Sequence, residues 1–341
     1  MKETIPVDKA VGMVLPHDIT EIVKDKFKGR AFKKGHIIRE EDIEHLKRLG
    51  KEHIYVLQLG PEEIHENEAA GVLATALAGP GARLSAEPVE GKIAIHADRD
   101  GILKINEEAL YQFNLLGEVM CSTLQTNTPV NKGETIAATR LIPLLSKRAI
   151  VEQAADIANT HGPIVEVKEL RKASAGLIIT GNEVFSGRIE DKFEKVLREK
   201  LAAIGSKVIS VTFAPDDIDK ISTAITDAVK NGADLIITSG GMSVDPDDVT
   251  RLGIAKAGAT DCYYGTPVLP GAMFLSGRIG SIPVLGLPAC GMFHNITVFD
   301  LILPRILSGE RIGREEFARM GHGGLCRNCK RCQYPVCNFG K

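Results

Sequence analysis

Tryptophan is absent from the 341 residues and aromatic side chains make up only 5% of them, so the stacking platforms that hold single-stranded nucleic acids are not expected. No apolar run reaches the roughly 18 residues that a membrane-spanning helix needs. Nor is there a basic start leading into an apolar stretch of the kind that directs secretion. Charge of neither sign is in excess. The 42 Lys and Arg against 44 Asp and Glu leave a formal −2, which gives no general reason for a nucleic acid or an acidic membrane as partner. The expectation is a cytoplasmic protein with neither partner. With 44% hydrophobic and 25% charged residues the composition is ordinary for a globular chain, and the length allows two or three domains.

What is present is organised around residues 233–250. Leu235, Ile236 and Ile237 form an apolar run between turn residues, which reads as a strand buried on both faces of a parallel sheet. Ser239, Gly240 and Gly241 then let the backbone turn sharply and approach a ligand, because glycine has no Cβ and tolerates positive φ. The hydroxyls of Thr238, Ser239 and Ser243 and free amides would line the carboxyl end of that strand, where open α/β sheets bind ligands. An anion suits this place. Asp247 and Asp248 follow, and acids beside a phosphate cradle suit Mg²⁺ or a bond to a heterocycle. The plain alternative is an ordinary strand-to-helix turn.

Residues 1–69 read as a small α/β region, with a helix over 40–49, a stop at Gly50 and a strand over 54–57. Residues 70–172 read as a strand-rich middle domain, with strands over 92–97 and 135–141, a turn at 131–133 and a helix over 146–158 capped by Ser146. From 173 to 310 strands and helices alternate, at 176–179, 191–204, 207–213, 217–231, 235–237, 282–287 and 292–307, and Pro304 is expected to kink or shorten the last helix. The expected fold class is therefore α/β. It consists of a three-layer α/β/α domain with a mostly parallel sheet and right-handed crossovers, a smaller α+β N-terminal region, the strand-rich middle domain and a cysteine-rich tail at 311–341.

The first strand of the alternating region ends in Thr180-Gly181-Asn182-Glu183, with Ser186-Gly187-Arg188-Ile189-Glu190-Asp191 before the next helix. It repeats the logic of the central strand: a hydroxyl, a glycine turn, then carboxylates. Together with Ser239-Gly240-Gly241-Met242-Ser243, this resembles the molybdopterin-binding domain of the molybdenum cofactor biosynthesis family, which includes molybdopterin adenylyltransferases and molybdotransferases. The resemblance implies a pterin dithiolene ligand with a terminal phosphate, cradled by Ser239, Gly240, Gly241 and Ser243, with Thr180, Gly181, Glu183 and Asp191 at the neighbouring turn. It also implies catalytic roles for Asp216 and Asp248, which in an adenylyl transfer would hold Mg²⁺ against the phosphates of ATP. Helix capping is the other reading for Asp216 and Asp217.

The opening residues, Val7 to Ile19, resemble the molybdotransferase branch, and three departures stand against molybdate insertion. That branch's Ser-Met-Asp-Gly-Tyr loop is absent. Its Lys-Pro-Gly-Lys-Pro stretch is replaced by Gly265-Thr266-Pro267-Val268-Leu269-Pro270-Gly271, and its Leu-Pro-Gly-Asn-Pro turn by Leu287-Pro288-Ala289-Cys290-Gly291. An oxyanion site without Lys or Arg loses charge-assisted hydrogen bonds. The segment from Gly240 to Thr250 also resembles the competence-damage-inducible family, which implies a nucleotide pyrophosphatase. A non-catalytic carrier or regulator is the third reading.

Four of the seven cysteines form a C-x2-C-x2-C-x4-C run, Cys326, Cys329, Cys332 and Cys337. In a reducing compartment such crowding points to a metal site. The x2 intervals favour a [4Fe–4S] cluster, and a compact zinc site is the alternative. The tail is also basic, with seven Lys or Arg against two Glu from 311 to 341, which suits an acidic protein partner. Cys121 and Cys262 read as buried packing. Cys290 sits at a sheet-end turn within reach of the ligand, with His294 one helical turn on. A homo-oligomer is compatible with all of this.

Overall fold

The computed structural model describes residues 3–23, 27–57, 59–89, 91–242, 245 and 248–340. The chain divides into two compact units, 1–124 with 130–167, and 125–129 with 168–341. Within the first unit the described residues form two large cores and a small third one of Ala70, Ala74 and Ile93. One large core gathers Val7, Leu15, Ile38, Leu46 and Val56, and the other Leu73, Ile95, Phe113, Leu141 and Val151. The helix expected over 40–49 is Asp42–Arg48, with Ile43 and Leu46 buried. The strands Lys92–Ala97 and Thr135–Leu141 have the expected bounds and pair antiparallel. Ser146 does not cap a helix. It lies in the strand Leu145–Lys147, its hydroxyl bonds the Glu118 carboxylate, and the helix runs over Arg148–His161. Strand pairing with Ile64 holds Ser146 extended, one residue before the N-cap Lys147.

In the second unit six strands form one sheet: β1 (Ser174–Thr180), β2 (Lys207–Ala214), β3 (Leu235–Ser239), β4 (Thr260–Tyr264), β5 (Leu275–Ile279) and β6 (Ile282–Leu287). Their order is β2-β1-β3-β6-β5-β4. The first four in that order run parallel, and β5 and β4 continue antiparallel. Helices α1 (Asn182–Phe185), α2 (Phe193–Ala203), α3 (Ile218–Lys230), α4 (Thr250–Lys256), α5 (Val298–Leu307) and α6 (Arg314–Arg319) connect or follow them.

The three layers follow from the period of two along each strand. On one face Leu177, Ile179, Leu235 and Ile237 meet Leu197 and Leu201 of α2 and Ile302 of α5. On the other, Ile178 and Ile236 meet Ile221 and Ile225 of α3 and Ile254 of α4. Leu235, Ile236 and Ile237 are each 0% exposed. Such burial is worth roughly 1.5–3 kcal/mol per side chain, so β3 anchors both layers.

The last helix starts later than its apolar residues suggest. Thr297 and Asp300 form a capping box, in which Asp300 accepts from the Thr297 amide at 2.8 Å and the Thr297 hydroxyl accepts from the Phe299 amide at 3.3 Å. This fixes the start at Val298. Residues 289–292 form a separate 3-10 turn, and α5 runs through Pro304 to Leu307. The tail belongs to this unit, because Phe317, Met320 and Phe339 are buried in the same core as Leu235.

Candidate phosphate cradle at the sheet edge

The carboxyl ends of β1, β3 and β6 stand level, with Ile179 beside Ser239 and Ser239 beside Leu287. At the centre of this edge the chain turns through Gly240 and Gly241, with φ of +87° and +54°. Space reinforces the backbone demand for glycine. A Cβ on Gly240 would lie 2.2 Å from the Thr180 carbonyl oxygen, and one on Gly241 would lie 2.3 Å from the Thr250 Oγ1. The turn is therefore bare of side chains and pressed against β1. Beside it the Ser239 hydroxyl is fully buried and has no hydrogen-bond partner among the described residues. A buried hydroxyl without a partner is costly, and an oxygen-rich ligand would satisfy it.

The other residues expected at the site divide into two groups. Thr180 is 4% exposed, and its hydroxyl donates to the Ser239 carbonyl at 3.0 Å and lies 2.8 Å from the Thr250 hydroxyl, so it ties β1 beneath the cradle. Thr238 likewise bonds inward, to the Leu285 carbonyl at 3.4 Å. Asp191 caps α2, accepting from the amides of Phe193 and Glu194 at 2.9 and 2.8 Å. Asp217 caps α3, accepting from Asp219 and Lys220 at 2.9 and 3.0 Å. The Lys220 amide chiefly holds the Asp217 carboxyl below the usual carboxylate range. Asp216 accepts from the Asn182 amide at 2.9 Å.

The second group stands open. Gly181 has φ +134°, and Glu183 is exposed with its Oε2 3.7 Å from where a Gly181 Cβ would sit. Asp248 is half-buried, its amide donating to the Asp245 carbonyl at 3.0 Å. Ser243 and Asp247 lie outside the described residues.

One cation beside the cradle was not singled out in the sequence. Arg251 lies over the Tyr264 ring, 4.2 Å from its centroid, and its Nε is buried without a partner among the described residues. The Tyr264 hydroxyl donates to the Met242 carbonyl at 2.5 Å, the residue after Gly241. The signal was thin, a lone arginine after the threonine that ends the motif.

The cysteines behave differently from one another. Cys121 is buried, and burial pushes its thiol up to about 12. Cys262, expected to be buried, is exposed because β4 is the edge strand. Cys290 is half-buried in the 3-10 turn, and burial raises its thiol. Cys290 and His294 do not share a helix, since α5 starts only at Val298. Cys326 and Cys337 are half-buried against the core, and Cys329 and Cys332 are exposed. Among the described residues no three His, Cys, Asp or Glu side chains stand close enough to hold a metal ion, and this applies to Asp216 and Asp248 as well as to the tail.

An open α/β sheet with a glycine turn, and a buried hydroxyl unpaired among the described residues, at the carboxyl ends of its parallel strands is an arrangement that suits a phosphate-bearing ligand. Residues 176–308 match the family described as probable molybdopterin binding domain, so this segment is similar to the molybdopterin-binding domains of molybdenum cofactor biosynthesis. Residues 4–58 match a domain of unknown function (DUF8806). The chain is 26% identical over 222 residues to a molybdopterin molybdenumtransferase of Haemophilus influenzae, covering 61% of this chain and 51% of the relative. A CinA-like protein of Thermosipho melanesiensis is 39% identical over 80 residues, 24% of this chain and 20% of the relative. The chain thus spans about half of the first relative's length and a fifth of the second's. Among solved structures, a molybdopterin biosynthesis MoeA protein from Pyrococcus horikosii aligns over 91% of this chain and 76% of its own, at 17% identity and a TM-score of 0.33.

Proposed function

We propose that this chain binds molybdopterin in the biosynthesis or handling of the molybdenum cofactor, with the terminal phosphate of the pterin on the Gly240–Gly241 turn. The observation that carries this is the buried Ser239 hydroxyl, without a partner among the described residues, beside two amides whose residues carry no side chain. The hydroxyl donates to a phosphate oxygen, the turn amides add two further donors, and the Arg251 guanidinium supplies positive charge. Glu183 and Asp248 remain for the pterin ring or for a metal-bound second substrate.

If the chain transfers an adenylyl group, Asp216 and Asp248 are the residues that would hold Mg²⁺, which would neutralise the phosphates of ATP. The likeness to CinA-like proteins over 80 residues favours a second reading, hydrolysis of a dinucleotide pyrophosphate in the same cradle.

The test is anaerobic titration with molybdopterin, followed by its fluorescence after oxidation. Ser239→Ala removes only an unpaired hydroxyl, so the fold is expected to keep its stability while affinity falls about tenfold or more. Arg251→Met is expected to lower affinity and flatten its salt dependence. Unchanged affinity in both variants refutes the cradle. Turnover of Mg-ATP only with pterin present, abolished by Asp248→Asn, supports the transferase; dinucleotide cleavage without pterin supports the hydrolase; binding without turnover supports a carrier.

A further inference from the structure

The second unit holds a cavity of about 380 Å³ between the 293–296 segment and the tail, and Cys326, Cys329, Cys332 and Cys337 all line it. Residues up to eleven positions apart in the chain thus face one space. Both ends of the run are anchored. At its start the Cys326 amide donates to the Leu269 carbonyl and the Leu269 amide to the Gly324 carbonyl, each at 2.8 Å. At its end Phe339 is 5% exposed, and Gly340 sits so close to α5 that a Cβ would lie 2.3 Å from Leu301 Cδ1. Between the anchors, residues 329–333 are exposed.

The turn from Cys326 to Cys329 places the Asn328 amide 3.5 Å from Cys326 Sγ, with Asn328 at φ +49°. Hydrogen bonds to sulfur tune metal–thiolate centres. Tyr334, half-buried, lines the same cavity.

We propose that Cys326, Cys329, Cys332 and Cys337 form a four-thiolate metal centre that closes on a soft metal and clamps the 265–271 loop to the 293–296 segment. Closure requires the exposed Cys329 and Cys332 to swing toward the half-buried Cys326 and Cys337, because no three ligands are yet gathered. Each thiol passes its proton to solvent as its sulfur–metal bond forms. The ligand chemistry is shared by Zn²⁺ and a [4Fe–4S] cluster. The centre stands independently of the pterin reading, since none of its residues lies in the Ser239 cradle.

The test uses the full chain. Titration with Co²⁺ is expected to give one ion per chain with sulfur-to-cobalt charge-transfer absorption, displaced by Zn²⁺; anaerobic loading with iron and sulfide is expected instead if the centre is a cluster. The double variant Cys329→Ser, Cys332→Ser changes only exposed side chains and is expected to weaken binding at least about a hundredfold. Metal loading is expected to slow amide exchange at Leu269 and Cys326. Failure of both metal arms, or full binding by the double variant, overturns the centre. Binding with unchanged exchange at Leu269 and Cys326 overturns the clamp.

Discussion

Asn182 and Asp216 hold one another by two opposed hydrogen bonds: the Asn182 amide donates to Asp216 Oδ2 at 2.9 Å, and the Asp216 amide donates to Asn182 Oδ1 at 3.2 Å. This pair joins the loop after β1 to the loop after β2 across the mouth of the sheet edge. Asn182→Ala and Asp216→Ala each remove one of the two bonds, since the backbone amides remain, and each is expected to cost about 0.5–1.5 kcal/mol in urea unfolding. Wild-type stability in both variants would mean that the pair does not hold the two segments together.

Thr180 ties the floor of the cradle to both β3 and α4. Thr180→Val leaves the Ser239 carbonyl short of a donor and the Thr250 hydroxyl short of its acceptor, both of them buried. The expected cost is about 1–3 kcal/mol at an unchanged urea slope. Thr250→Val added to it is expected to cost less than it does alone, because the shared bond is already gone. A full additive cost in the double variant would contradict this arrangement.

Gly240 is required by both backbone and space. Gly240→Ala forces a side chain at φ +87° and a Cβ within 2.2 Å of a carbonyl oxygen. Loss of stability of about 1–3 kcal/mol is expected from strain, together with loss of phosphate affinity as the turn shifts. Calorimetry with inorganic phosphate and the pterin, alongside thermal unfolding, would read both. Wild-type values in both would show that the turn does not approach β1 so closely.

Asp217 gives a pH signature. Its carboxyl titrates below its ordinary value of 3.8 in the folded chain, chiefly through the Lys220 amide. Its contribution to stability is therefore complete above 3.8 and is lost as pH falls through the lower folded value. Asp217→Ala is expected to lower the urea midpoint at neutral pH. The gap to wild type should shrink as the pH drops below 3.8. A gap constant across that range would mean that the cap does not depend on charge.

The sequence by itself determined the alternating second unit, because each strand there is a short apolar run and each helix an apolar stripe, both set by local period. It also determined the glycines, since a chain that must turn at positive φ and lie against a neighbouring carbonyl admits no other residue. What it did not determine are partnerships between residues far apart. Whether Thr180 and Asp191 face a ligand or serve the protein depended on Ser239, Thr250 and the α2 amides, which compete for the same oxygens. Asp300 stopped α5 short of its apolar start, strand pairing with Ile64 kept Ser146 from capping, and Tyr264 held Arg251 beside the cradle. The convergence of four cysteines on one cavity likewise required Leu269 and Leu301 to pin the tail at both ends. Such choices belong to tertiary structure, because hydrogen-bond partners and packing surfaces are supplied by whichever segments the fold brings within reach.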